Sequence, residues 1–134
     1  MAIDSDVICC EWTPRFSYMD ITGEIYVTQK GWAAKAGCLV TVSFDILLSS
    51  KGTGAISPVT IQGLPYPATG IGFGAVRWTG MATPVVWMGV STNAGTRNLL
   101  LYQTAAAATQ CSLVMSADIS DNVGLIGTLS YFSA

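Results

Sequence analysis

Few residues in this chain are equipped for chemistry. The string "SADISDN", Ser116 to Asn122, holds two carboxylates, Asp118 and Asp121. Paired carboxylates can serve as acid and base, as in glycoside hydrolysis. The same string is made of residues that build Asx-type turns, and a turn between strands is the reading it favours. It offers too few oxygen ligands in register for calcium. The chain has no His, so a Ser–His or Cys–His relay cannot form within it. Its four cysteines, Cys9, Cys10, Cys38 and Cys111, contain no CxxC pair and fit no disulfide framework. With no His beside them they do not suggest zinc. They are expected to be reduced thiols, buried or half-buried. "GIGFG", Gly70 to Gly74, has the glycines of a phosphate loop but not the GxGxxG spacing, and no helix follows it. A strand whose bare face lies against another backbone is expected there instead. No enzyme, no metal and no cofactor is expected from these residues.

The aromatic residues are the remaining candidates. Trp12, Trp32, Trp78 and Trp87, with Tyr66 and Tyr102, could form a sugar-binding platform. The commoner use of such residues is to fill a core or a subunit interface.

The elements that must position them are strands. A period of two runs through almost the whole chain. In "CLVTVSFDILLS", 38–49, Val40, Val42, Phe44, Ile46 and Leu48 share one face and polar residues the other, the pattern of a half-buried antiparallel strand. "GEIYVTQ", 23–29, reads as a strand, and "KGWAAKAG", 30–37, as a turn because of its two glycines. Further strands are expected at 57–63, 70–81, 83–92, 97–104 and 123–133. Shorter ones are expected at 11–18 and 111–115. "TAAAATQ", 104–110, is helix-prone but too short to stand alone, and reads as a loop or a single turn. Eight or nine strands separated by turn signals indicate an all-β fold, a two-sheet antiparallel β-sandwich.

In "VTIQGLPYPA", Val59 to Ala68, the alternation stops at Gly63-Leu64-Pro65. Gly63 permits an unusual backbone, Leu64 can drop into the core, and Pro65 fixes φ and ends ladder pairing. The three read as a structural corner where the chain leaves one sheet for the other.

At 134 residues the chain is expected to be one domain, 12–134, preceded by an acidic segment, 1–11, that makes contacts with neighbours. Apolar residues are 51% and charged residues 10%, against about 25% charged in an average soluble domain. Fourteen charged residues over a surface of roughly 6,700 Å² is about one per 480 Å², sparse for a free monomer. Much of the surface is therefore expected to be covered by copies of the chain or by a larger assembly. The net charge of −2 leaves no electrostatic footprint for nucleic acid. No run of about 18 apolar residues suggests a membrane span. The start, "MAIDSDVICCEW", lacks the basic and apolar regions of a signal peptide, so synthesis and folding in a cytosol are expected.

The order of these elements resembles a small jelly-roll-like β-sandwich module of tailed-phage virion proteins. That module occurs at the carboxyl ends of tail fibres and tailspikes and as free-standing proteins. The similarity runs from about residue 12 onward. It is carried by Lys35, Gly37, Val40, Val42, Phe44, Ile46 and Leu48 in the long strand and by Ile61, Gly63, Leu64 and Pro65 at the break. Asp118 to Asn122 and Tyr131-Phe132 carry it near the end. The resemblance implies a homotrimer located in the virion and assembled in the host cytoplasm. The role it favours is a capsid decoration (cement) protein in contact with a major capsid protein or another virion protein. The alternative is a tail-fibre or tailspike tip module that binds a host glycan or assists trimerisation.

Overall fold

The computed structural model describes residues 7–134. They form ten strands: β1 (Val7–Trp12), β2 (Arg15–Ser17), β3 (Ile25–Ala36), β4 (Leu39–Ser50), β5 (Thr60–Gln62), β6 (Phe73–Met81), β7 (Trp87–Thr92), β8 (Asn98–Thr104), β9 (Ser112–Leu113) and β10 (Ile119–Phe132). A 3₁₀ turn, Ser116–Asp118, is the one helical piece among the described residues. Every ladder between strands is antiparallel. The all-β expectation holds, with one more strand than the upper count.

The strands do not divide into two separate sheets. They follow one path, β1-β3-β4-β10-β6-β7-β8-β5-β2, with β9 attached to β8. The joint is β6. Its first residues, Phe73 to Ala75, pair with β7, and Val76 to Thr79 pair with β10. One strand therefore belongs to both halves, and the sheet is a curled half-barrel rather than the two-sheet sandwich expected. Glycine makes the curl possible. A Cβ at Gly72 would collide with the Ser130 carbonyl, and one at Gly74 with the Thr128 carbonyl and, at 2.7 Å, the Leu129 Cβ. The "GIGFG" run thus lets β6 cross β10 backbone against backbone, the role its composition suggested.

The two ends of the path, β1 and β2, are joined by only Thr13 and Pro14. Side chains close this seam where no ladder does. Trp12 Nε1 donates to the Trp32 carbonyl (3.0 Å), Gln29 Nε2 to the Pro14 carbonyl (2.9 Å), and the Phe16 amide to the Tyr26 hydroxyl (2.9 Å).

The core lies inside the curl. Val40, Val42, Phe44, Ile46 and Leu48 of β4 are all buried, as the alternation required. They face Leu99 and Leu101 of β8, Val90 of β7, Ile61 of β5 and Phe16 of β2, which belong to the same buried cluster. Burying each such side chain contributes about 1.5–3 kcal/mol. The strand bounds differ from expectation at 30–37. β3 continues through "KGWAAKA" and pairs along β4 as far as Ala36 opposite Leu39, so only Gly37 and Cys38 turn. Gly37 has φ +61°, suited to a two-residue hairpin. Gly31 is a strand residue. A Cβ there would lie 2.6 Å from Trp12 Nε1, so its bareness makes room for an indole, not for a turn.

At the break after β5, Gly63 has φ +103°, and a Cβ on it would meet the Thr13 carbonyl at 2.5 Å. Leu64 is buried. The segment then crosses the end of the β7–β8 hairpin. The Leu64 amide donates to the Arg97 carbonyl, and Arg97 Nη1 donates back to the Pro65 carbonyl (3.1 Å). The Thr69 amide and the Tyr131 hydroxyl tie the same segment to the end of β10. Residues 1–6 of the expected contact segment 1–11 lie outside the described residues, and 7–11 belong to β1.

The glycines of the crossing give a sharp test. Gly74→Ala should cost about 3 kcal/mol or more, because backbone must move to admit the methyl. Gly70 has nothing within 4 Å of its Cβ position, so Gly70→Ala should stay within about 0.5 kcal/mol of the parent. Urea unfolding of the two variants checks this; equal midpoints would contradict the crossing.

Candidate functional site

The carboxylates of "SADISDN" are structural. Asp118 Oδ2 accepts from Gln103 Nε2 (2.7 Å) and from the Met115 amide (2.9 Å), and its Oδ1 faces the Thr83 hydroxyl at 3.4 Å. It thereby closes the 3₁₀ turn leading into β10. Asp121 Oδ1 accepts from the Lys51 amide (3.1 Å), while Lys51 Nζ donates to the Ser116 and Ile119 carbonyls. The string fastens the end of β4 to the start of β10, the turn chemistry expected of it. All four cysteines are free, but burial does not describe them: Cys9, Cys38 and Cys111 are exposed and Cys10 is half-buried. Cys9 and Cys10 sit on the terminal strand β1 and Cys38 in a hairpin turn, places where a small apolar side chain is not drawn inward.

The six aromatic candidates separate. Trp12 is buried in the seam, and Trp78 packs against the core beside Val76. Tyr66 is half-buried in the crossover, where its carbonyl accepts from the Tyr131 hydroxyl (2.7 Å) and its ring carries Lys35 Nζ at 4.7 Å from the centroid. Trp87 and Tyr102 come together on the outer face of β7 and β8. Trp87 lies over Gly89, whose Cβ position is 2.5 Å from its ring, and Tyr102 pairs with that same glycine. Trp32 stands apart on the outer face of β3, 46% exposed. No single platform unites the six.

The outer face of β1, β3, β4, β10 and β6 carries an ordered surface. Pairing places Val7, Ala36, Leu39 and Phe132 in one row across four strands. Val7, Leu39 and Phe132 are 54%, 43% and 55% exposed, so this row is an uncovered apolar strip. Cys9, Ala34, Thr41 and Ser130 form the next row, and Glu11, Trp32, Ser43 and Thr128 the third. Lys30, Asp45, Ile126 and Arg77 form the fourth. The first two rows hold no charge. Beside Trp32, where β1 leaves β3, a recess of about 300 Å³ is lined by Glu11, Trp12, Thr13, Gln29, Lys30 and Trp32. Of these the sequence singled out only the tryptophans. Glu11 and Lys30 flank Trp32 only because β1 pairs with a β3 that runs on to Ala36.

No family model matches the chain, and no curated protein matches it. Among solved structures it is similar to part of the Dettilon tailspike protein, with a TM-score of 0.75 and 14% sequence identity. The likeness covers 93% of this chain and 23% of that one. This chain therefore has the fold of a module that makes up under a quarter of a tailspike.

Two measurements follow from the side-chain environments. A thiol reagent added to the folded protein should modify Cys9, Cys38 and Cys111 quickly and Cys10 slowly, with all four titrating after unfolding; a single fast phase of four would contradict the placement of Cys10. Burial pushes the Tyr131 hydroxyl up to about 12, opposed in part by its hydrogen bond to Tyr66, and burial also raises Tyr18 and Tyr26. The unfolded chain loses these protons near pH 10 while the folded chain keeps them, so stability is full below pH 10 and falls as pH rises toward 12. Tyr131 alone should account for roughly 2–3 kcal/mol of that loss. Tyr131→Phe should start about 1 kcal/mol lower at neutral pH and show a shallower alkaline decline; an unchanged slope would remove Tyr131 as its source.

Proposed function

We propose that this chain is a structural module of a tailed-phage virion, of the tailspike or tail-fibre kind, that works as a homotrimer. The fold likeness to a tailspike over 93% of the chain carries this reading. The surface supports it. A protein with 10% charged residues and an exposed Val7–Leu39–Phe132 strip has an outer face suited to contact with copies of itself. The role is mechanical: apolar burial and hydrogen bonds hold chains together, and obligate interfaces of this kind run to about 2,000 Å² or more. Few charges are available to make such a contact electrostatic, so it should persist at 1 M salt, where screening acts within about 3 Å. A decoration role on the head, against a major capsid protein, would use the same outer face. The likeness lies with a tailspike and so favours the tail.

Sedimentation at micromolar concentration should show a trimer in both low and high salt, and Leu39→Asp with Phe132→Asp should release the monomer. A wild-type species of 14.1 kDa would overturn the self-association. Immunogold labelling of virions should place the chain on the tail; label confined to the head would replace the tail reading with the decoration one.

A further inference from the structure

The apolar strip is too small to hold an obligate assembly by itself. Val7, Leu39 and Phe132 are each about half exposed. Together they offer roughly 300 Å², since a whole aromatic side chain buries about 150–250 Å². A specific interface takes about 800 Å² from each partner. A second charge-free surface lies across the β6 corner. Pairing places Phe73, Ser91, Leu100 and Thr60 in one outer row. Ala75, Gly89, Tyr102 and Leu113 form the next. Only the row on the other side of Leu100 brings amides and a charge, with Asn98, Gln62 and Arg15. The two surfaces are continuous. The Thr69 amide donates to the Phe132 carbonyl (2.8 Å), and Gly72 lies on the Ser130 carbonyl. Ile71 and Phe73, on either side of Gly72, therefore emerge beside the Phe132 end of the strip, 72% and 69% exposed.

We infer that this second face is the socket for a neighbouring copy: the strip of one protomer docks on the β6–β7–β8 face of its partner, head to tail. The inference rests on the homotrimer proposed above. A patch that docks on itself gives a twofold dimer, so it cannot close a threefold ring. Each protomer must offer two different surfaces, inclined to one another, and the curl at β6 provides them. One side of the corner carries the strip and the other the aromatic rows. Phe73 and Phe132 stand at the corner, which such a ring turns toward its axis. The second face is suited to being covered. Ala75, Gly89 and Ser91 keep it low, Trp87 covers Gly89 yet stays exposed, and Tyr102 stands in the same row. Aromatic rings on charge-free ground are the usual make-up of an interface centre. The facing rows hold no charge on either surface, so the junction desolvates no ion. Arg77, two residues beyond Ala75 on β6, ends the apolar corner.

The test is sedimentation of the full chain and of variants in each surface, alone and mixed. Phe73→Glu with Ala75→Glu changes two exposed side chains of the second face, and thermal melting checks that it folds. Alone it should sediment as a 14.1 kDa monomer, and so should Leu39→Asp with Phe132→Asp. Mixed in equal amounts at about 100 µM, the two should form a species of twice that mass and nothing larger. One variant keeps the strip and the other keeps the face, so a single sound junction remains. Phe73→Ser, which removes apolar area without adding charge, should weaken assembly about tenfold or more. Val27→Glu, an exposed position at the far end of β3 from Ala36, should assemble as the wild type does. A trimer that survives both Phe73→Ser and the double Glu variant overturns the inference and leaves the homotrimer standing. A mixture of the two double variants that stays monomeric also overturns it. A wild type that is itself a monomer removes the homotrimer and this junction together.

Discussion

The architecture depends on one close approach. Where β6 crosses β10, Gly72 and Gly74 face the Ser130 and Thr128 carbonyls with nothing between the two backbones. Ordinary strands pack with side chains between them, and layers then stand about 10 Å apart. Bare glycines remove that spacer on one face of β6, so the strand can pair with β7 at its start and with β10 beyond. A side chain at either glycine would push β6 off β10. The curl, and with it the inside that holds the core, follows from this contact.

A sheet curled at β6 must still deal with its two ends. A full barrel would pair them; here β2 is three residues long and has no ladder with β3. The chain instead places both ends next to each other in sequence, through Thr13 and Pro14, and fastens them with the Trp12, Gln29 and Tyr26 side chains. Pro14 has no amide to leave unpaired at this point. The β2 end is short, preceded by proline, and its first residue, Arg15, lies 3.7 Å from the Glu24 carboxylate, which blunts it against pairing. Among the described residues the β1 end is not blunted. Val7 to Cys10 carry no charge, and Val7, Ile8 and Cys9 are exposed. The asymmetry puts the surface open to contact on the β1 side, the side that also carries the apolar row.

Much of this was legible in the sequence. The alternation of β4 foretold its buried face residue by residue, because a period of two admits only one division between inside and outside. "GIGFG" and "SADISDN" declared a bare strand and a turn through their own chemistry. Four things were not legible. The joint at β6 rests on which strand pairs with which, and alternation is silent about partners. The length of β3 was hidden by Gly31, a strand glycine that resembles a turn signal. The exposure of Cys9, Cys38 and Cys111 follows from their seats on a terminal strand and in turns, not from thiol character. The polar side chains around Trp32 were hidden for the same reason as the joint: Glu11 and Trp32 are 21 residues apart and meet only through the β1–β3 register.

Strand glycines, of which Gly31 is one, also explain how the aromatics are shared out. Gly31 admits Trp12, Gly127 lies under the Phe44 ring, and Gly89 lies under Trp87. In each case a large ring covers backbone that a bare residue leaves open, which restores packing and shields the ladder. Trp12 and Phe44 do this on the inner face and become core; Trp87 does it on the outer face and stays partly exposed. An aromatic whose ladder neighbours already carry side chains has no such backbone to cover. Trp32, between Glu11 and Ser43, is in that position. Its ring stabilises the fold little where it stands, and leaving about half of an indole in water forgoes burial worth a kcal/mol or more. A fold that otherwise sets its rings against glycine backbone or the core leaves this one exposed between two recesses, because no bare neighbour in the ladder draws it down.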